Sequence, residues 1–110
     1  MKLNYKTKKL EKTFNDERKL IKAYGQLAKK IKQRKNEIVN ADNLKVLSEL
    51  PQLRLHPYKG ERAGQWSIDI KDNWRIIFSL DHKPIPTLED GGVDLINITI
   101  IRIESVEDPH

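Results

Sequence analysis

Residues 53–78, LRLHPYKGERAGQWSIDIKDNWRIIF, gather side chains able to do chemistry. His56 and Lys59 share one loop, Arg62 and Arg75 follow, and the sequence closes on Asp108 and His110. Such groups can break an RNA phosphodiester by internal attack. A base removes the ribose 2′ proton and an acid protonates the leaving 5′ oxygen. Fixed cations meet the charge that grows on the phosphate. His, Asp, Lys and Arg supply all of this without a metal or cofactor. Taken singly, each residue has an ordinary reading as well. A histidine at a strand end is commonly a surface or packing residue. Trp66 and Trp74 read as core aromatics, and Arg75 as a solvated charge or cross-strand partner. GERAG is not followed by Lys-Ser/Thr, so a phosphate-binding P-loop is not expected. The three histidines lack metal-ligand spacing.

These residues depend on the elements that carry them. Leu20, Tyr24, Leu27, Ile31 and Ile38 recur at helical steps, which predicts one amphipathic helix over about 16–39 with Asn15 or Asp16 as its cap. Asp42 is expected to cap a second, shorter helix that Pro51 ends. The period then becomes two. Leu53 and Leu55, then Trp66, Ile68 and Ile70, then Trp74, Ile76, Phe78 and Leu80 alternate with polar residues and predict strands. Lys71-Asp72 is the expected turn, residues 81–92 a loop, and 93–103 a central strand. Helices followed by a mostly antiparallel sheet of four to five strands make an α+β domain. At 110 residues one domain, 1–110, is expected. If Trp74, Ile76 and Phe78 face the helices, Arg75 lies on the opposite face. Arg54 and His56 join it if the register allows, and an uncovered cationic sheet suits RNA.

Charge is divided unevenly along the chain. Residues 1–50 hold fourteen Lys/Arg against six Asp/Glu, and residues 51–110 hold seven against ten. Between Arg18 and Asn36 eight basic residues occur with no acid, forgoing the i,i+4 pairs that stabilise solvated helices. Two readings stand: a merely basic exposed helix, or an electrostatic footprint for nucleic acid or an acidic partner. No Cys is present, so neither a disulfide framework nor a thiolate metal site exists, in keeping with a cytoplasmic setting. No apolar run is long enough to span a bilayer, so no membrane role is expected.

The block LRLHPYKGERAGQWSIDIKDNWRIIF resembles the signature of HigB-type toxins of the RelE toxin superfamily. The shared features are a Leu-His run leading to Lys-Gly-x-Arg-x-Gly, then Trp-Ser-Ile, then Asn-x-Trp-Arg-Ile. The order of short strand, helices and antiparallel strands is similar too. The resemblance implies a ribosome-dependent mRNA endonuclease acting in the A site of the 70S ribosome. Its products would be a 2′,3′-cyclic phosphate and a 5′-hydroxyl. It also implies a helix-turn-helix antitoxin of the HigA type as partner. By this resemblance His56, Asp108 and His110 match the acid/base set. Lys59, Arg62 and Arg75 match phosphate-facing cations, and Asn73 a polar residue at a strand start; Arg54 is grouped with the RNA-binding positions. The sequence departs from the family's closing Asp-Tyr-His in having Pro109. The alternative reading is a non-cleaving protein of the same fold, either a degenerate toxin or a ParE-like gyrase inhibitor. The whole reading requires the carboxyl end to fold back beside His56 and Arg75 around a positively lined hollow.

Overall fold

Alternating apolar residues in the second half of the chain build one sheet in the computed structural model, which describes residues 1–108. Its strands are β1 (Lys2–Tyr5), β2 (His56–Pro57), β3 (Gln65–Lys71), β4 (Trp74–Leu80) and β5 (Ile100–Glu107). Their spatial order is β1-β5-β4-β3-β2. β1 runs parallel to β5 and every other pairing is antiparallel. The helices α1 (Lys8–Phe14), α2 (Glu17–Tyr24), α3 (Ala28–Asn40) and α4 (Leu44–Ser48) all precede β2. Ile31, Ile38, Leu44 and Leu47 from the helices and Ile68, Ile76, Phe78, Ile101 and Ile103 from the sheet form the dry core between them. The architecture is the α+β arrangement expected.

Local chemistry explains where the elements depart from the periodicity. The long helix expected over 16–39 is two helices. Gly25 has φ 57° and ψ −124°, a conformation that side chains with a Cβ strongly disfavour, and a 3-10 turn (Gly25–Leu27) follows it. The hydrophobic period continues through the break because both helices pack on the same core, so periodicity alone does not reveal it. Asp16 caps α2, its carboxylate accepting from the amides of Arg18 and Lys19. The cap of α4 is Asn43 rather than Asp42. Leu53 ends a 3-10 turn begun by Pro51, and the chain reverses at Arg54 before the two-residue β2. The β3–β4 turn is Asp72-Asn73, one residue later than expected, with Asp72 at φ 54°. The last strand starts at Ile100, because residues 95–97 form a 3-10 turn, and it runs on to Glu107.

Two irregularities in the ladder decide what reaches the face opposite the helices. One lies between Asp69 and Lys71. Beside it, the Asp69 carbonyl accepts a 2.8 Å bond from Nε of Arg34, a residue of α3 that is only 5% exposed. The other falls where Ile77 pairs with Ser105 but Phe78 pairs with Ile103, leaving Glu104 as the extra residue of β5. Ile101 and Ile103 face the core. Strict alternation would turn Ser105 and Glu107 the same way, and the bulge moves both to the opposite face.

Candidate active site on the open face of the sheet

The register sets two rows of side chains across the face away from the helices. His56 pairs with Ser67, Ser67 with Ile77, and Ile77 with Ser105. One step along, Asp69 pairs with Arg75 and Arg75 with Glu107. Ser67 and Ile77 are buried and floor the site. His56 and Arg75 thus stand on adjacent rows, and β5 brings Glu107 directly across the ladder from Arg75.

His56 is held from three sides. Its Nδ1 lies 3.2 Å from the carbonyl oxygen of Arg54. A carbonyl can only accept, so a hydrogen on Nδ1 completes this contact and directs Nε2 away from it. The Ser67 hydroxyl lies 3.3 Å from Nδ1 and 3.5 Å from Nε2. Tyr58 packs edge-on against the imidazole with ring centroids 5.2 Å apart. The carbonyl reaches this place because Arg54 adopts the left-handed conformation, φ 45° and ψ 48°, which is strained for a residue with a side chain.

The arginines do not line a bare positive hollow, as expected from sequence; carboxylates are interleaved with them. Asp69 sits 3.6 Å from Nε of Arg54 and 3.9 Å from Nε of Arg75. The second distance is too long for a hydrogen bond, and the buried Arg75 Nε has no hydrogen-bond acceptor among the described residues. Arg62 is the opposite case. Its Nη1 and Nη2 donate to the two oxygens of Glu107 at 3.1 and 2.8 Å, and its Nε donates to Gln65 at 2.8 Å. Its guanidinium also covers the Tyr58 ring at 4.9 Å. Ser105 donates a further bond to Glu107. The bonds from Arg62 and Ser105 hold the Glu107 carboxyl below the usual carboxylate range, and the same pairing raises Arg62.

Lys59 and Asn73 are exposed, Lys59 just before the Gly60–Arg62 turn and Asn73 in the turn that starts β4. Asp108 is exposed one residue beyond the last paired position of β5, at the Arg75 end of β4. Pro109 and His110 lie outside the described residues. Trp66 and Trp74 are half-buried and pack on the core. Sequence reasoning missed Glu107, Ser105 and Asp69 on this face. The polar-apolar-polar triplet Ser105-Val106-Glu107 at the end of an apolar run was the available signal. Among the described residues no cluster of three or more His, Cys, Asp or Glu could hold a metal, and no helix is long and apolar enough to cross a membrane.

Comparison with known proteins agrees with this fold. The chain matches a solved YoeB/ParE toxin from Agrobacterium tumefaciens over the full length of both chains, with a TM-score of 0.52 at 15% identity, a likeness of fold. It is 60% identical over 25 residues to Endoribonuclease HigB of Proteus vulgaris. That match covers 23% of this chain and 27% of that relative. Residues 3–88 match the family model of HigB-like toxins, described as RelE-like toxins of type II toxin–antitoxin systems. With most of its length matched, the chain belongs to the HigB-like family of type II toxins, whose counterpart is an antitoxin.

Proposed function

We propose that the whole chain, residues 1–110, acts as one ribosome-dependent mRNA endonuclease domain that cuts translated message in the A site of the 70S ribosome. The observation that carries this reading is Arg75. Its Nε has no hydrogen-bond acceptor among the described residues, with the Asp69 carboxylate 3.9 Å away, and it stands one row from a histidine with an oriented ring, so it has donor capacity left for a second anion. A scissile phosphate supplies that acceptor. The name of the Proteus vulgaris relative points the same way.

In the proposed reaction Nε2 of His56 takes the 2′-OH proton and the 2′ oxygen attacks phosphorus. The P–O5′ bond breaks, and an acid at the chain end, Asp108 or His110, protonates the departing 5′ oxygen. The products are a 2′,3′-cyclic phosphate and a 5′-hydroxyl. Arg75, with Arg54, Arg62 and Lys59 around it, stabilises the charge on the phosphoryl oxygens, and Asn73 contacts the strand beside it. No metal takes part. The place of action is the cytoplasm, where messages are translated. The proposed inhibitor is a helix-turn-helix antitoxin of the HigA type.

The test is to express the protein and map 5′ ends on translated and untranslated messages. His56→Ala and Arg75→Ala serve as the variants. Cuts confined to translated messages and lost in both variants support the reading. Growth arrest that persists undiminished in both would replace cleavage with a binding mechanism.

A further inference from the structure

Arg62 and Arg75 are expected to serve one substrate, yet the free protein treats them differently. The Nε of Arg75 has no hydrogen-bond acceptor among the described residues, with Asp69 3.9 Å away. Arg62 has all three of its nitrogens engaged, two of them on Glu107 in the two-pronged geometry that guanidinium adopts with carboxylates and phosphates alike. The pair is not sealed in. The side chains of Arg62 and Glu107 are 40% and 36% exposed, so a ligand can reach either. Glu107 is also fixed from behind by the Ser105 hydroxyl and stands directly across the ladder from Arg75.

We propose that Glu107 is an internal stand-in for an RNA phosphate: it occupies the fork of Arg62 until a nucleic-acid strand anchored at Arg75 displaces it. The inference rests on the RNA-cleaving reading and names a specificity-determining residue within it. An isolated phosphate competes poorly against a tethered carboxylate. A strand gripped at several neighbouring phosphates competes well, because its second contact is intramolecular. The exchange breaks no covalent bond. Arg62 transfers two N–H donors from one anion to another, and Glu107 retains the Ser105 hydroxyl.

The experiment measures binding of a fluorescent 2′-O-methyl single-stranded RNA, which lacks the attacking hydroxyl and stays intact. Four proteins are compared at fixed salt: wild type, Glu107→Gln, Arg62→Ala and the double variant. Glu107→Gln is expected to bind up to about fivefold more tightly, the upper end for an exposed ion pair. That gain is expected to vanish when Arg62 is alanine. Ser105→Ala keeps the charge and removes the carboxylate's second donor, so a gain of about twofold is expected there. It also keeps the test decisive if Glu107→Gln folds poorly. A gain that persists in the Arg62→Ala background would be a plain charge effect and overturns the proposal. Weaker binding by both Glu107→Gln and Ser105→Ala would make Glu107 a support for Arg62, and overturns it as well. In both cases the RNA reading survives, since wild type binds. Absence of binding by all the proteins overturns the displacement proposal, while the RNA-cleaving reading is decided separately by the 5′-end mapping on translated messages.

Discussion

The cations of the helices and those of the sheet behave differently. Lys9, Lys12, Lys19 and Lys22 line a cleft between α1 and α2, and none has an ion pair among the described residues. On the sheet Arg54, Arg62 and Arg75 each have a carboxylate within 4 Å. Ammonium groups on flexible stems attract a polyanion from a distance and set no geometry. Guanidinium forks held by neighbours set geometry and are much less available for general attraction. The two regions therefore suit two tasks, recruitment on the helices and chemistry on the sheet. If that division holds, changes on one side leave the other's observable alone.

The strongest test falls on the sheet. His56→Ala is expected to lower the cleavage rate on translated message about 10²–10⁴-fold, as for loss of an acid/base group. Arg75→Ala is expected to lower it about 10²–10³-fold, as for loss of a transition-state donor. For His56→Ala, affinity for 2′-O-methyl RNA should stay within about threefold of wild type, whereas Arg75→Ala, which removes an anchoring contact, should weaken it far less than it lowers the rate. A collapse of affinity to match the rate would merge the two regions into one binding surface.

The complementary test falls on the helices. Replacing Lys9, Lys12, Lys19 and Lys22 together by alanine is expected to flatten the dependence of log affinity for single-stranded RNA on log salt. The slope should fall by up to about 0.7 per phosphate contact removed. Single-turnover cleavage at saturating ribosomes should be unchanged. An unaltered slope would assign the cleft to an acidic polypeptide instead. Gly25→Ala tests how the helical layer is held. A Cβ there meets no neighbour within 4 Å, so the effect comes from backbone conformation alone. Destabilisation by about 1–3 kcal/mol is expected in urea titration, with cleavage at low temperature retained.

These contrasts also show what a sequence discloses. Alternation in β3 and β4 is local, so the facing of Arg75 away from the core was legible, as were the apolar residues of the core. The eight-cation stretch was legible as charge but not as placement. Arg34 turns inward to bond Asp69 and Glu37, Lys35 reaches the Phe14 carbonyl and Asn15, and Lys32 lies 3.8 Å from Glu17. The break at Gly25 was hidden because two helices on one core preserve the hydrophobic period. Glu107 was hidden for a deeper reason. Its side of the sheet depends on a one-residue bulge at Glu104, set by pairing with a strand more than twenty residues earlier. Strand periodicity carries no record of such a slip. The motif around His56 located the histidine, but not the carbonyl of the strained Arg54 that lies against its Nδ1.

The smallest expected effect is also the one that most sharply separates paired from unpaired charge. Glu107 titrates lower in the folded protein than in the unfolded chain, because Arg62 and Ser105 donate to its ionised form. A carboxyl lowered on folding contributes stability above its unfolded pKa, and that contribution is lost as pH falls through the folded value. The contribution is therefore present at neutral pH and disappears below the ordinary carboxylate range. Solvent screening keeps it small, since both partners are more than a third exposed. Thermal melts from neutral to strongly acidic pH should show a shallower acid decline in Glu107→Gln than in wild type, with the curves converging at the acid end. Arg62→Ala should reproduce much of that shallowing, because it removes the first donor to the same carboxylate. Substituting Lys9 or Lys22, which have no ion pair among the described residues, should leave the shape of the acid limb unchanged. If the lysine variants flatten it as much as Glu107→Gln does, the acid limb reports overall charge, and the pairing on the sheet has no separate signature.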